Sequence, residues 1–461
     1  MKNINFSIFI LLLTLYSCKK EEFIKKDFTL DLESAANNAN FQSQAEMEPN
    51  ELLIKFKKGT SSALKTKAWG LINASVKEHI HTSIMKSIGD NEGIYLLKAN
   101  INALDAITKA KGLLDIEYAE PNWIYKHQAT SNEAYFTNGN LWGMYGSSSS
   151  PTNSFGSGAA TAWTNNKTGS SSIYIGIIDE GYMYTHEDLE ANVGFNPGEI
   201  AGNRKDDDGN GLKDDVYGWD FAGNNNTVFD GVGDDHGTHV AGTIGAVGGN
   251  GKGVAGVVWN VKLLNAKFLG STGGTTANAI KAVDYFTNLK KKGLNIVATN
   301  NSWGGGGYSQ SLKDAIDRAG AENILFIAAA GNSSTNNDAT ASYPSGYNSS
   351  NIIAVASITS SGALSSFSQY GASTVDIGAP GSSVLSTVPK SSNGNFISGY
   401  ATYSGTSMAT PHVTGAVALY ASINPGATAA QIKSAILNAA TATPSLTGKC
   451  VTGGRLNVAG F

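Results

Sequence analysis

Cysteine is almost absent from the chain. Among 461 residues only Cys18 and Cys450 carry a thiol, too few for a disulfide-stapled scaffold. Stability must then come from core packing and from bound ions. Charge is also sparse, at 15% of residues, and nearly balanced at a net of −4. So small an imbalance over this length points away from nucleic acid and membrane surfaces as partners. No apolar run reaches the about 20 residues that a bilayer span needs, and the N-terminal one, Phe6 to Tyr16, stops well short. What is present instead is 54 glycines and 41% hydrophobic residues. That is a globular composition with many tight turns, and it excludes a coiled coil or a largely disordered chain. The length suits two or three domains, or one large catalytic domain with an appendage.

Lys2 followed by a short apolar stretch has the form of a signal peptide, here residues 1–17. It runs into "LYSC", Leu15 to Cys18, which resembles a bacterial lipobox, whose cysteine is lipidated and becomes the mature N-terminus. The "KKEE" that follows resembles the charged segment of surface-exposed lipoproteins of some Gram-negative bacteria. Cys18 is therefore the expected lipidation site, which leaves Cys450 with no partner for an intrachain disulfide. The expected location is the bacterial cell envelope, as an outer-membrane or cell-surface lipoprotein.

Residues 18–48 are polar without apolar periodicity and read as a tether. Residues 49–127 alternate strand and helix patterns: "ELLIKFK", "SSALKTKAWGLINA", "GIYLLKA", "NALDAITKAKGL" and "DIEYAEPNWIY". They predict a small α+β unit of ferredoxin-like layout. Residues 128–158, rich in Ser, Gly and Asn, read as a linker and processing region. From residue 159 to 461 short apolar runs ("IYIGIID", "VKLLNAKF", "LNIVATN", "ILFIAAA", "IIAVASI") alternate with helical patterns. Such runs predict a parallel sheet covered on both faces, with polar groups of functional interest at the carboxyl ends of its strands. Asp179, Ser302 and Asn332 fall at or just past three such ends.

Ser407 in "SGTSMATPHVTGA" is placed at the start of an apolar helix, where backbone N–H groups and the helix dipole favour negative charge. A serine there is either an N-cap or a nucleophile. Ala409 stands where a G-x-S-x-G elbow needs glycine, which excludes that motif. A nucleophilic serine needs a base and the base an orienting acid. His236 in "DDHGTHVAGTIGA" and Asp179 supply them in the chain order Asp, His, Ser, and the side-chain amide of Asn332 in "AAAGNSS" offers an oxyanion donor.

The blocks "IIDEGYMYTHEDL", "DDHGTHVAGTIGA", "NNSWGGG", "AAAGNSS" and "SGTSMATPHVTGA", in that order, resemble those of the subtilisin-like serine proteases. The resemblance implies a doubly wound, mainly parallel, seven-stranded sheet, with Asp179, His236 and Ser407 as triad and Asn332 as oxyanion donor. It makes Ser302, Trp303, Gly304 and Gly305 a substrate-binding strand that pairs with an extended polypeptide. It identifies residues 49–127 with the family's propeptide, an intramolecular inhibitor and folding template. The enzyme would be an autoprocessed serine endopeptidase, a monomer, attached to the membrane through Cys18 until cleavage between Lys126 and Gly158 releases it. The closing "GGRLNVAGF" resembles the usual end of the catalytic domain, implying no further module. Glu180, directly after the catalytic Asp, departs from the family's small residues and reads as a local variation tuning pH dependence or specificity. His412 is expected to pack within its helix, and His186 and His81 to serve at the surface or in turns.

Asp206, Asp208 and Asn210 at alternate positions, then Gly211, the Leu212 carbonyl and Asp214, have the opening spacing of a calcium loop. Tyr217 in place of the final glutamate excludes an EF-hand. A structural Ca2+ ion is the expected cofactor, and an exposed acidic turn is the alternative. Two rival functions remain: a peptide-docking lipoprotein without activity, and a metal hydrolase built on His236, His239 and Asp235.

Overall fold

Strand β1 (Met47–Phe56) shows how the first unit is built: Leu52, Ile54 and Phe56 are fully buried while Leu53 and Lys55, facing the other way, are not. That is the period of two that one-sided burial imposes. The order continues α1 (Ser62–Ile72), β2 (Ala74–Ile80), β3 (Ile94–Ala99), α2 (Ala103–Lys111) and β4 (Ile116–Trp123). Ser61 and Asn102 cap the two helices by accepting from Leu64 N and Leu104 N. The strands pair antiparallel in the order β2-β3-β1-β4, the ferredoxin-like layout. Ala68, Ile72, Ala106 and Ile107 of the helices close the core over Leu52, Ile54 and Leu97. In this computed structural model residues 47–461 are described, apart from 82–84, 87–88, 124–130 and 271–272. The signal peptide, Cys18 and the tether up to residue 46 lie outside the described residues.

The chain divides between Lys126 and His127 into two units, each with its own core. In the second, the order is α3 (Ala134–Thr137), α4 (Ala159–Thr164), β5 (Gly169–Asp179), β6 (Gly218–Asp220), α5 (Asp235–Gly245) and β7 (Asn260–Lys267). Then come α6 (Thr276–Lys291), β8 (Ile296–Asn301), α7 (Gln310–Ala321), β9 (Leu325–Ala329), β10 (Ile352–Ile358) and β11 (Ile377–Pro380). A hairpin, β12 (Val384–Ser392) and β13 (Asn395–Tyr403), precedes α8 (Thr406–Ile423), α9 (Ala429–Asn438), β14 (Thr441–Ala442) and β15 (Gly454–Arg455). The sheet order is β14-β15-β11-β10-β9-β8-β5-β7-β6. From β6 to β11 seven strands run parallel, with the two-residue strands β15 and β14 extending that edge. Alternate strand residues serve two cores. Ile175, Ile177, Ile327 and Val355 pack with α5 and α8, whereas Ile178, Phe326, Ala328 and Ala354 pack with α6 and α7. Burial on both faces is why these strands read as unbroken apolar runs.

Most of the stretch read as a linker is part of this second unit. Phe136, Leu141, Trp142, Met144 and Tyr145 are buried in the core shared by α5 and α8. Trp142 Nε1 donates to Ser382 O at 3.0 Å, and Val458 N donates to Ser157 O at 2.8 Å. Its Ser, Gly and Asn residues make turns between aromatic anchors, so the composition reflects turn density and not a free connection. Residues 128–130 of that stretch lie outside the described residues.

Candidate active site

Asp179 is the last residue of β5 and is completely buried. His236 is the second residue of α5, and its Nδ1 lies 2.9 Å from Asp179 Oδ1. The close approach of helix and strand end depends on glycine: a Cβ on Gly237 would sit 2.1 Å from the carbonyl oxygen of Gly181. Farther along α5, a Cβ on Gly242 would meet Thr387 Oγ1 at 2.2 Å, so the helix is also held flush against the β12–β13 hairpin. Ser386 Oγ and Thr387 Oγ1 donate there to the carbonyls of His239 and Thr238. Burial works against charge on His236, but Asp179, with help from Glu180 and Asp235, outweighs it and raises the imidazolium pKa to about 9.

Ser407 is the second residue of α8 and partly exposed. Its hydroxyl donates to Ser302 O at 3.0 Å and not to His236. The two serines exchange bonds, because Ser302 Oγ donates to Ser407 O at 2.9 Å. Pro411 explains why that carbonyl is available: proline has no N–H to return to the carbonyl four residues earlier. A proline inside the helix thus ties the Ser407 backbone to the end of β8.

Asn332 follows β9 and is exposed, with a fixed orientation. Its Oδ1 accepts from Thr406 N at 2.8 Å and from Thr406 Oγ1 at 2.9 Å, and Thr406 Oγ1 accepts in turn from Gly331 N at 3.2 Å. With the oxygen held from two sides, the amide nitrogen points away from Thr406 as a donor. Thr406 was not legible as a functional residue, because a threonine at a helix start has a sufficient role as a helix-terminus residue.

The stretch Ser302 to Gly305 leaves β8 and runs on irregularly. Gly305 N donates to Tyr343 O at 3.3 Å, and Gly306 bridges Tyr343. Trp303 is half-buried, packing edge-on against Phe268 at 4.8 Å. Beside it lies a cavity of about 340 Å³ lined by Trp303, Gly304, Gly305, Phe268, Tyr343 and Tyr347, among others.

His239 is fully buried, stacked on Tyr403 at 4.6 Å, with Nε2 directed at Val384 O and Ala401 O. Burial pushes its pKa down to about 3, so the ring is neutral and faces the hairpin. His412 is likewise buried, with Nδ1 2.9 Å from Met408 O and a pKa lowered by burial to about 4. His186 is in a turn but is not superficial: it is fully buried with Nε2 2.9 Å from Gly399 O.

Among the described residues, the one His/Cys/Asp/Glu grouping whose ligand atoms converge within 4.8 Å is Glu199, Asp206 and Asp208. His236, His239 and Asp235 do not converge in this way. Of the five residues in the expected calcium loop, Asp206 and Asp208 belong to the cluster. Asn210 Oδ1 accepts from Leu212 N, and Asp214 instead turns its carboxylate to Asn203 N and Arg204 N. Glu199, seven residues before Asp206, takes its place. Burial, together with the nearby charges of Asp215 and Asp208, raises the Glu199 pKa. Oxygen donors crowded to this degree fit a hard cation, although Lys292 Nζ already sits 3.1 Å from Asp208 Oδ1.

Known proteins resemble this chain in both of its units. The model of the subtilase family matches residues 170–455, and that of the fervidolysin N-terminal prodomain matches residues 33–122. An extracellular protease of Xanthomonas campestris is 36% identical over 304 residues, 63% of this chain and 51% of that protein. The chain thus spans about half of that relative's length. A thermophilic serine proteinase of Bacillus sp. (strain AK1) is 31% identical over 379 residues, 81% of this chain and 78% of the relative. Among solved structures, a protease from Pseudoalteromonas arctica superposes with a TM-score of 0.56 at 29% identity, covering 71% of this chain and 97% of that one.

Proposed function

Because the chain belongs to the subtilase family, we propose that it is a secreted or cell-surface serine endopeptidase acting through Asp179, His236 and Ser407. The observation that carries this reading is the 2.9 Å contact between His236 Nδ1 and Asp179 Oδ1, with Ser407 at a helix N-terminus beside the oriented amide of Asn332. In the reaction the Ser407 hydroxyl turns from Ser302 O toward His236 Nε2, gives up its proton and attacks the scissile carbonyl. His236 then protonates the leaving amine, and water hydrolyses the acyl-enzyme by the same route. Asn332 and the Ser407 backbone N–H are the donors to the oxyanion. The residues from Ser302 to Gly305 hold the substrate chain in extended form.

The first unit acts as intramolecular inhibitor and folding template. A large parallel sheet is dominated by non-local contacts and gains from such help. The burial of Ser131 and Glu133, with Glu133 Oε1 accepting from Asn250 N at 3.0 Å, supports a cut near the start of the span from Lys126 to Gly158. With a lipid on Cys18, that cut detaches the enzyme from the membrane. No helix among the described residues is long and apolar enough to cross a bilayer. Glu199, Asp206 and Asp208 would hold a Ca2+ ion, which neutralises their mutual repulsion and ties down the loop between β5 and β6.

The test is expression of the full precursor and of Ser407→Ala. The wild type should process itself, hydrolyse casein and be silenced by a serine-directed phosphonate, and N-terminal sequencing should give the boundary. The variant should remain a full-length, inactive precursor. Casein hydrolysis by Ser407→Ala equal to the wild type would overturn the reading.

A further inference from the structure

Helix α5 has a first-turn amide that its own N-cap does not serve. The side chain of Asp234 makes no cap hydrogen bond. Its Oδ1 is taken by Lys267 Nζ at 2.6 Å and its Oδ2 by Asp230 N at 2.7 Å. The His236 N–H is bonded instead from the end of β5, by Glu180 Oε1 at 2.7 Å. The backbone N–H of Glu180 donates at 2.8 Å to Asp179 Oδ1, the same oxygen that faces His236 Nδ1. One residue thus grips both ends of the Asp179–His236 pair, and it brings a partly buried carboxylate beside the base.

On the reading that this chain is a serine endopeptidase, we infer that Glu180 is a positioning residue for His236: it caps the helix that carries the base, and its negative charge keeps the base protonated to higher pH, setting an alkaline working range. The charged and titratable groups around the pair are Asp179 on the same strand end, His236, Asp235 and the buried neutral His239 on α5, Lys267 of β7 with its partners Asp234 and Asp230, and Tyr403 on β13, which donates to Asp235 Oδ2. Burial, and then the charge of Asp179, raise the Glu180 carboxyl to about 7, below the value of about 9 for His236. As pH rises, Glu180 therefore ionises first, and His236 loses its proton in the presence of that added charge. The two steps belong to a coupled pair.

Two variants separate the cap from the charge. Glu180→Gln keeps an oxygen for the His236 N–H and removes the charge, while Glu180→Ala removes both. The measurement is kcat/KM against pH for processed wild type and both variants, on a chromogenic peptide substrate. For Glu180→Gln the acid limb should move to lower pH by about half a unit or more, the effect of one charge a few Å away even in a water-like dielectric. Glu180→Ala should show the same shift and a kcat at the plateau lower than that of Glu180→Gln. A Gln profile that superimposes on the wild type would overturn the charge role, and equal plateaus for Ala and wild type would overturn the positioning role. Either result leaves the endopeptidase reading standing, since that reading fails only if the wild type itself does not hydrolyse peptide or Ser407→Ala does.

Discussion

Thr406 offers the sharpest test of how Asn332, the proposed oxyanion donor, is held. Its side chain is fully buried and its hydroxyl both donates to Asn332 Oδ1 and accepts from Gly331 N. Replacement by valine keeps the branched shape and removes the hydroxyl. The Thr406 N–H to Asn332 Oδ1 bond survives, so the amide keeps one of its two anchors. A neutral hydrogen bond has a net worth of about 0.5–1.5 kcal/mol, and if the loss is felt in the transition state, kcat falls roughly 2- to 12-fold. The ceiling is set by losing the donor altogether in Asn332→Ala, about 10²–10³ in kcat, a value already established for subtilisin and carried over here. KM should change little, because the oxyanion forms only after binding. The part-buried Gly331 N–H loses its acceptor, so stability should drop by about 0.5–1.5 kcal/mol, the net worth of one hydrogen bond. Initial rates on a peptide anilide give kcat and KM, and thermal unfolding of the same variants in the Ser407→Ala background gives stability. Thr406→Ser restores the hydroxyl and should recover most of kcat. If Thr406→Val keeps the wild-type kcat while Asn332→Ala loses 100-fold, the hydroxyl does not orient the amide. If Thr406→Ser is as slow as the valine variant, the hydroxyl alone does not orient the amide and needs the packing of the methyl group to hold it in place.

What the sequence revealed, and what it concealed, follow one rule. The β5, β8, β9 and β10 runs were legible because burial on both faces leaves nearly pure apolar stretches. The residues at their ends stood out as polar exceptions, and Asp179, Ser302 and Asn332 were found that way. Strand β2 was invisible because most of its residues are exposed at the sheet edge, so no face carries an apolar alternation. The run from residue 131 to 158 misled because turn-rich composition looks alike in a linker and in a packed loop. The signal that distinguishes them is the recurrence of Phe136, Trp142 and Tyr145, which a free connection has no reason to carry. Residues that act on others were the hardest to place. Glu180 stood out beside Asp179, but its bond to His236 N spans 56 positions; Thr406, which did not stand out, bonds Asn332 74 positions away, and Glu199 joins Asp206 and Asp208 only because the loop folds back. Spacing along the chain does not encode such pairs.

Two further predictions concern ions and protons. If Glu199, Asp206 and Asp208 hold Ca2+, then a chelator should lower the unfolding temperature of the Ser407→Ala protein and added Ca2+ should restore it, while Glu199→Gln should lose most of this response. An equal response in wild type and Glu199→Gln would place the ion elsewhere. The acid stability of the same inactive protein should be governed in part by buried neutral histidines. Burial lowers His412 to about 4 and His239 to about 3, so between those values and the ordinary 6.5 the unfolded chain binds protons that the folded chain refuses. Their contribution is fully present above about pH 6.5 and is lost as pH falls toward 4 and 3. His236 has the opposite sign. With its pKa raised to about 9, its contribution is present below 6.5 and drains away as pH climbs through 9. Glu180, raised to about 7, gives up its contribution between about 4.5 and 7, which blurs the total profile. A difference between two proteins removes that overlap. His412→Leu deletes one proton acceptor and keeps an apolar group in the same buried site, so the loss of stability from pH 6.5 to 4 should be smaller than in the parent by up to about 3 kcal/mol, the linkage for two to three pKa units. Urea unfolding at each pH supplies the difference. Parallel curves for parent and variant across that window would show that His412 is protonated in the folded protein and that burial does not hold it neutral.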